Sequence, residues 1–360
     1  MDILIFGGTG TMGRYLVDYL SKEPTNHIYI TSRENHKPDK NNIHFIQGNA
    51  HDLKFITNLM DKIKAWDTII DFMIYSTEEF KERRDVLLNG TKQYVLLSSA
   101  RVYADSKEPI TEESDRLLDV VEDEKFLSSD KYAISKAREE NLLLESGRNN
   151  WTIIRPYITY SNVRFQLGVY EKEDWLYRVL HGRSIVFSKD ILDKITSVTY
   201  GGDVSLGIAS VVGNESAYGE AFHITCEEPI KWEGVLDIYT EVLSKTGYNM
   251  KVLFADNASD IVNQAEKVRY DRLYNRVFDN SKIGRYLDNS KFKNPKEGLN
   301  MCLNDFLKNP SFKEINWTTQ ARMDRFAKEK TKLSEIKSVK GKAKYFLFRY
   351  VLDYKKLKRN

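Results

Sequence analysis

Short apolar runs alternate with amphipathic segments through the first half of this chain, and that alternation restricts the fold more than any other feature. The runs are apolar throughout, which is typical of strands covered by helices on both faces. The segments between them have the spacing of amphipathic helices. The pattern predicts an α/β fold with a doubly wound parallel sheet. The apolar runs lie at residues 3–6, 28–31, 43–47, 68–72, 94–98 and 152–154.

The alternation weakens after Pro156, and the second half of the chain is organised differently. An aromatic-rich stretch extends to residue 187, and strand and helix patterns return near 203–225. Proline and glycine are too sparse to indicate a long flexible linker. We therefore predict a doubly wound domain at 1–160 to which 197–225 returns, a smaller mixed α/β substrate-binding region at 161–196 and 226–311, and a basic helical C-terminal extension at 312–360.

The composition is that of a globular protein with a substantial core. Of the 360 residues, 41% are hydrophobic and 30% are charged, which excludes disordered and fibrous chains. We find no uninterrupted apolar window long enough to span a membrane and no signal peptide after Met1. The only cysteines, Cys226 and Cys302, lack neighbours at metal-ligand spacing. We expect a cytoplasmic protein without a metal site.

The net charge of +3 hides an uneven distribution. Residues 337–360 contain nine Lys/Arg and one Asp, a local charge of +8 that leaves −5 for the first 336 residues. Within this segment, residues 344–357 interleave aromatic residues and leucines with cations. Such a helix can lie on an anionic membrane, dock on the acidic remainder or on another subunit, or contact RNA. The sequence leaves these alternatives open, although a buried apolar face suits docking slightly better.

A glycine-rich segment lies between the first apolar run and the first helical pattern. Such a turn lets backbone amides and a helix N-terminus approach a pyrophosphate, as in Rossmann-like folds. We predict a dinucleotide site there, against the alternative of a turn that merely joins strand to helix. Its residues are Gly7, Thr9, Gly10, Thr11, Met12 and Gly13.

The residues at the end of the second apolar run indicate whether the chain would bind NAD or NADP. In this fold an acidic residue about twenty positions after the glycines accepts from the ribose of NAD, whereas an arginine pairs with the 2′-phosphate of NADP. Ser32 occupies the expected acidic position and Arg33 follows it. We therefore expect NADP(H), with NAD as the alternative, since Arg33 could point into water and Glu34 could bind a ribose.

Tyr132 and Lys136 are four residues apart in a helical pattern and so share one face. A neighbouring ammonium favours the phenolate and makes a tyrosine a better acid or base near neutral pH. Ser98 and Ser99 end the fifth apolar run, where a hydroxyl can donate to a substrate oxygen. The alternatives are an exposed helix face and a strand-end turn.

Together these motifs resemble those of the extended short-chain dehydrogenases/reductases, specifically the NAD-dependent epimerase/dehydratase group that acts mostly on nucleotide sugars. The resemblance extends over about residues 1–290. The motifs that carry it are Gly7, Gly10 and Gly13, residues 97–103, Tyr132 and Lys136, residues 153–157, 200–204, 220–224 and 278–282.

The resemblance implies a role for each matching residue. Ser99 corresponds to the catalytic Ser/Thr, Tyr132 to the acid/base, and Lys136 to the residue that lowers the pKa of that tyrosine and holds the nicotinamide ribose. Asn49 replaces an acid that contacts adenine, and Pro156 matches the region beside the nicotinamide. The pattern departs from the family at 160–162, on the substrate side.

Arg269, Arg272 and Arg276 have the spacing of one helical stripe. Their guanidinium groups could pair with the diphosphate of a nucleotide sugar, and we name Arg272 and Arg276 as candidate substrate ligands. The alternative is an exposed basic helix face.

These observations favour an NAD(P)-dependent oxidoreductase that reduces or oxidises a keto or hydroxyl group of a nucleotide-linked sugar, as in polysaccharide biosynthesis. One alternative is a nucleotide-sugar 4-epimerase with tightly bound NAD, and another is a non-catalytic RNA- or partner-binding member of the fold. A dehydratase is disfavoured, because Ala100 and Arg101 follow Ser99 where such members place an Asp-Glu pair. We expect a homodimer and no DNA.

Overall fold

The computed structural model describes residues 1–62, 65–262 and 264–352. It divides into two compact units. Unit 1 contains Met1–Thr159, Ser197–Glu228 and Val277–Asn294, and unit 2 contains Tyr160–Thr196, Pro229–Arg276 and the described residues from Pro295 onward. Residues 277–294 thus pack in unit 1, although the sequence analysis placed them in the substrate-binding region.

The seven longest strands all lie in unit 1. In chain order the strands are β1 (Asp2–Phe6), β2 (His27–Ser32), β3 (Ile43–Gln47), β4 (Trp66–Asp71), β5 (Thr91–Leu97), β6 (Trp151–Pro156), β7 (Thr159–Tyr160), β8 (Gln166–Leu167), β9 (Tyr170–Glu171), β10 (Ile185–Ser188), β11 (Ile195–Thr196), β12 (Thr199–Tyr200), β13 (Glu220–Ile224), β14 (Ile230–Lys231) and β15 (Val252–Ala255).

The helices range from one turn to four turns. They are α1 (Gly13–Leu20), α2 (Leu53–Lys62), α3 (Thr77–Asn89), α4 (Leu117–Val120), α5 (Glu124–Leu127), α6 (Tyr132–Leu144), α7 (Leu176–Leu180), α8 (Gly201–Val211), α9 (Trp232–Lys245), α10 (Ala265–Lys267), α11 (Pro295–Lys308), α12 (Trp317–Ala327) and α13 (Val339–Phe346). Wider π-helical turns at Val268–Arg272 and Leu347–Val351 follow α10 and α13.

Seven parallel strands form the sheet of unit 1, in the order β13-β6-β5-β4-β1-β2-β3. In the register of β1, Ile3 lies opposite Ile28 of β2 and Thr68 of β4. Each apolar run predicted as a strand overlaps one of these strands. The prediction of a doubly wound, Rossmann-like α/β fold is therefore confirmed.

Two apolar layers hold the helices against the two faces of this sheet. Ile3 and Ile5 of β1 pack in one layer with residues of α1 and α8, whereas Leu4 and Phe6 pack in the other with residues of α2, α3 and α6. Successive side chains of a strand point to opposite faces, so an unbroken apolar run supplies both layers at once.

Unit 2 combines short strand pairs with helices around an aromatic core. The pairs are β10 with β15, β11 with β14, and β8 with β9. Trp175 stacks on Tyr239 of α9 with a centroid distance of 4.6 Å, and both side chains are buried. No helix of the described residues has the length and apolar character needed to cross a membrane.

The C-terminal extension packs within unit 2 as far as it is described. The guanidinium of Arg178 is fully buried and donates to Asp324 Oδ1 at 2.8 Å and to Glu329 Oε2 at 3.0 Å. Asp324 Oδ2 also accepts from the Thr331 amide at 2.7 Å and from Tyr345 Oη at 2.6 Å. One buried carboxylate thus joins α7, α12 and α13. Residues 353–360 of the predicted basic extension lie outside the described residues.

Gly13 fits where a larger residue cannot, at the junction of the glycine-rich turn and α1. A Cβ on Gly13 would lie 2.5 Å from the Gly8 carbonyl oxygen, which is a backbone atom and cannot rotate away. We expect Gly13→Ala to destabilise unit 1 by about 1–3 kcal/mol through overpacking. Thermal unfolding followed by circular dichroism measures this.

Gly284→Ala is the matched control, because its Cβ would meet only the Asn289 side chain at an ordinary 3.4 Å. If Gly13→Ala had the same melting temperature as the wild type and this control, the proposed overpacking at the start of α1 would be contradicted.

Candidate functional site

The glycine-rich turn opens directly from the carboxyl end of β1. Gly7 has φ +74°, and a Cβ there would approach the Phe72 Cβ to 3.2 Å, so both conformation and space favour glycine. The Gly10 amide donates to the Gly7 carbonyl at 3.0 Å and closes the turn. Thr9 and Gly10 are exposed. Helix α1 begins at Gly13, so its N-terminus and the positive end of its dipole follow directly from this turn, as in sites that bind a pyrophosphate.

A cleft of about 480 Å³ extends from this turn across the ends of β2 and β3. Its walls combine small residues and backbone with polar side chains, as a dinucleotide requires. These features fit a nicotinamide dinucleotide, whose adenosine end would lie between β2 and β3. The lining residues are Gly7, Thr9, Thr31, Ser32, Arg33, Glu34, His36, Gly48, Asn49, Ala50, His51 and Met73.

Ser32, Arg33 and His36 form the wall of the cleft at the end of β2. Arg33 is exposed, and Ser32 Oγ lies 2.9 Å from His36 Nε2. Ser32 and Arg33 were predicted from the sequence, whereas His36 was not, because no motif marks a histidine four residues beyond a strand. Asn49 also lines the cleft, and its Oδ1 accepts from the His51 amide at 3.2 Å.

Helix α6 carries Tyr132 in its first turn and Lys136 in its second. The Tyr132 ring is half-buried beneath the Arg101 guanidinium, 5.3 Å from its centroid. Lys136 is 1% exposed, and its Nζ donates to the Met73 carbonyl at 3.2 Å and to Glu139 Oε2 at 2.8 Å. Met73 lines the cleft, so Lys136 contacts a residue of the cleft wall.

Ser98 and Ser99 have different environments at the end of β5. Ser98 Oγ donates to the buried Glu140 carboxylate at 2.5 Å, which makes it part of the support of α6. Ser99 caps the short 3₁₀ helix Ala100–Val102 by accepting from the Arg101 amide at 3.2 Å. Pro156 ends β6, so it lies at the same carboxyl edge of the sheet.

Two buried carboxyls near Lys136 were not predicted from the sequence. Glu139 is fully buried, and this burial raises its pKa to about 7 despite the opposing Lys136 ammonium. Burial also raises the pKa of Asp71, which accepts from the Tyr94 and Tyr75 hydroxyls at 2.9 and 3.1 Å. For Glu139 the available signal was an acidic pair, residues 139–140, in a helical segment whose other positions include seven apolar residues.

The three arginines of the predicted stripe do not share one α-helix, since Arg269 and Arg272 lie in a π-helical turn. Helix α10 ends at Lys267, a π-helical turn ends at Arg272, and Arg276 lies beyond both. The alternative of an exposed basic face is wrong for two of the three arginines, because Arg272 is 1% exposed and Arg276 is fully buried, whereas Arg269 is exposed. Both form ion pairs with the buried Asp271 in unit 2. Their binding of a diphosphate stays a prediction.

A parallel sheet with a glycine-rich turn after β1, a cleft across the ends of β2 and β3, and a Tyr-Lys pair on α6 is typical of one class of dinucleotide-binding proteins. The model of the NAD dependent epimerase/dehydratase family matches residues 3–204, which is more than half of the chain. The chain belongs to this family, and the resemblance stated from its motifs is confirmed.

Particular relatives are more distant. Chloroplast stem-loop binding protein of 41 kDa b from Arabidopsis thaliana is 26% identical over 248 residues, which is 65% of this chain and 61% of that protein. The match therefore spans less than two thirds of the relative's own length.

Two solved structures share the fold. They are dTDP-glucose 4,6-dehydratase from Bacillus anthracis in complex with NAD (17% identity, TM-score 0.64, 86% of this chain and 97% of that chain) and UDP-glucuronic acid 4-epimerase from Bacillus cereus in complex with UDP-glucuronic acid and NAD (15%, 0.64, 86% and 99%).

The pKa of Glu139 predicts a pH-dependent stability. The pKa of this carboxyl is near 4.5 in an unfolded chain and about 7 in the folded protein. Between these pH values the folded protein keeps the carboxyl protonated, whereas the unfolded chain has lost the proton. Its contribution to stability therefore falls as pH rises from about 4.5 to about 7 and is constant above. We expect the melting temperature of the wild type relative to Glu139→Gln to fall across this window.

Glu122→Gln, which changes an exposed carboxylate, is the control and should follow the wild type at every pH. A constant difference between wild type and Glu139→Gln from pH 4.5 to 7 would show that Glu139 does not titrate there.

Proposed function

We propose that this protein is an NADP(H)-dependent oxidoreductase that reduces or oxidises a keto or hydroxyl group of a nucleotide-linked sugar. The observation that carries the proposal is the reach of Lys136 to the Met73 carbonyl, at 3.2 Å, in the wall of the dinucleotide cleft. It joins the helix that bears Tyr132 to the cleft that fits the cofactor. The substrate class follows from the family and from the nucleotide sugars named for its structural neighbours.

Each proposed catalytic residue has one task. When bound, the nicotinamide supplies or accepts the hydride. Tyr132 gives its proton to the substrate oxygen in reduction and takes it back in oxidation, while the Lys136 ammonium favours the phenolate that forms. The Ser99 hydroxyl donates to the same oxygen and orients it. Gly7, Thr9, Gly10, Thr11, Met12 and Gly13 would hold the pyrophosphate.

The cleft wall at the end of β2 supports NADP(H) over NAD. Arg33 is an exposed cation there, and Ser32 and His36 add a hydroxyl and an imidazole within the same cleft. A 2′-phosphate can accept hydrogen bonds from all three. Glu34 lies beside them and is the acid through which NAD could be bound instead.

A 4-epimerase with tightly bound NAD is the closest competing function. It uses the same three residues but retains its cofactor between half-reactions. Denaturing the purified protein and identifying any released dinucleotide distinguishes the two. Stoichiometric NAD would contradict the reductase, whereas a protein that binds added NADPH reversibly would contradict the epimerase.

A non-catalytic RNA-binding function is favoured by one observation, the name of the chloroplast stem-loop binding relative. Retention of Ser99, Tyr132 and Lys136 argues against it, since RNA binding does not need this combination. RNA binding by the wild type that Tyr132→Phe leaves intact, together with no turnover of any sugar nucleotide, would favour this second function.

Arg33→Ala tests the cofactor. Loss of a charge-assisted contact of about 1.5–3 kcal/mol should weaken NADPH binding about tenfold to a hundredfold and change NADH binding little. Titration calorimetry with each dinucleotide measures both constants. Lys37→Ala, which removes a nearby exposed cation outside the cleft lining, is the control. Equal losses for NADPH and NADH would contradict a 2′-phosphate contact.

Tyr132→Phe tests the acid/base. We expect kcat to fall by about 10²–10⁴-fold, as for loss of a general acid, with NADPH binding unchanged. Consumption of NADPH, followed optically with a panel of nucleotide-4-ketosugars, measures turnover. Tyr248→Phe in unit 2 is the matched control and should retain full activity. An active Tyr132→Phe enzyme would rule out the assigned role.

A further inference from the structure

The last described helix has two opposite faces, and only one of them is covered. Gly341 and Tyr345 of α13 are buried, and Phe348 in the following π turn packs against the same small core with Ala321 and Ile336. Tyr345 Oη donates to Asp324, and the Arg349 guanidinium donates to the Glu329 carbonyl at 3.0 Å. These contacts fix the orientation of the helix within unit 2.

The opposite face presents an apolar stripe to solvent. At 100° per residue, positions 339, 343 and 346 of α13 fall within an arc of about 60° on the side away from Gly341 and Tyr345. Val339 is 83% exposed, Phe346 59% and Val351 61%. Leu347 and Tyr350 are exposed as well. Isolated exposed apolar residues are ordinary, but a contiguous stripe on a docked helix indicates an interaction surface.

Cations border this stripe on both sides. Lys340 and Lys344 lie along one edge and Lys342 along the other, and all three are exposed. The sequence from 337 to 352 has five Lys/Arg and no acid. Residues 353–360 add four Lys/Arg and one Asp to the same end of the chain.

We propose that the outer face of residues 339–351 binds the surface of an anionic phospholipid membrane. An apolar stripe between two rows of lysines matches the boundary between acyl chains and phosphate headgroups. The eight residues of α13 span about 12 Å at 1.5 Å per residue, and their exposed apolar side chains lie along one side, so the helix would lie in the plane of the interface.

Charge and chemistry distinguish this partner from two others. A second copy of the chain would bring a like-charged lysine border against this one, which opposes symmetric pairing. RNA would satisfy the lysines but would leave Val339, Leu347 and Val351 without an apolar partner. An anionic bilayer satisfies both parts of the surface.

A cleft of about 340 Å³ beside the helix gives a headgroup room to approach the lysines. Its lining includes Lys340, Lys344, Trp317 and Glu314. Tryptophan is favoured at the level of the headgroups, where its apolar ring and N–H are both accommodated.

Co-sedimentation of the full-length protein with vesicles tests the proposal. We expect binding to phosphatidylcholine vesicles that contain phosphatidylglycerol, little binding to phosphatidylcholine alone, and weakening with added salt. Replacing Lys340, Lys342 and Lys344 by Gln should reduce partitioning about a hundredfold, from the contribution of each near-surface cation. Exchanging the exposed Lys54, Lys81 and Lys125 for Gln is the charge-matched control and should have little effect.

Phe346→Ser separates insertion from simple charge attraction. Its side chain is exposed, so the fold should be retained, as circular dichroism can verify. We expect binding to anionic vesicles to fall about tenfold or more from the lost apolar burial. Binding that is insensitive to this variant would overturn the proposal, as would absence of binding to anionic vesicles.

Two further results would also overturn it. Binding of an RNA stem-loop that depends on the three lysines but not on Phe346, without vesicle binding, would identify a nucleic acid as the partner. A concentration-dependent dimer that is lost in Phe346→Ser, again without vesicle binding, would identify a second copy of the chain.

Discussion

The buried carboxylate of Glu140 fixes helix α6 to the sheet, and the geometry of the candidate site depends on that attachment. It accepts from two nitrogens of Arg155 in β6 at 2.9 Å and from the Ser98 hydroxyl at the end of β5. Removing one partner from a buried ion pair typically costs about 3–5 kcal/mol, because the other charge remains buried. The pair therefore makes any shift of α6 along the sheet edge costly.

The contacts of Glu140 also position Lys136 and Tyr132, because the three residues are spaced four apart on one helix. Lys136 is four residues before Glu140 and Tyr132 is eight before it, so all three lie along one side of α6. The strand that supplies Ser98 also leads into Ser99, so one interaction places the three proposed catalytic residues on the same framework. Glu139, one residue before Glu140, accepts a hydrogen bond from the Lys136 ammonium, and both side chains are buried.

The sequence predicted the parts of this arrangement that depend on local periodicity. Unbroken apolar runs revealed the strands, and the Tyr-x-x-x-Lys spacing revealed one face of α6. His36, Asp71 and Glu139 were not predicted, because each acquires its environment from residues distant in the chain. Arg272 and Arg276 show the opposite error: regular spacing suggested one helix, but a change to π-helical geometry and the buried Asp271 altered their surroundings.

The C-terminal extension shows how far charge alone can be interpreted. An excess of +8 indicated an interaction surface but could not tell docking from membrane binding, because both use an amphipathic helix. The contacts of Tyr345 and Phe348 remove that ambiguity by assigning docking to one face. The apolar residues that remain then lie opposite the docked face, between lysines. The two interpretations are thus compatible, since each uses a different side of the same helix.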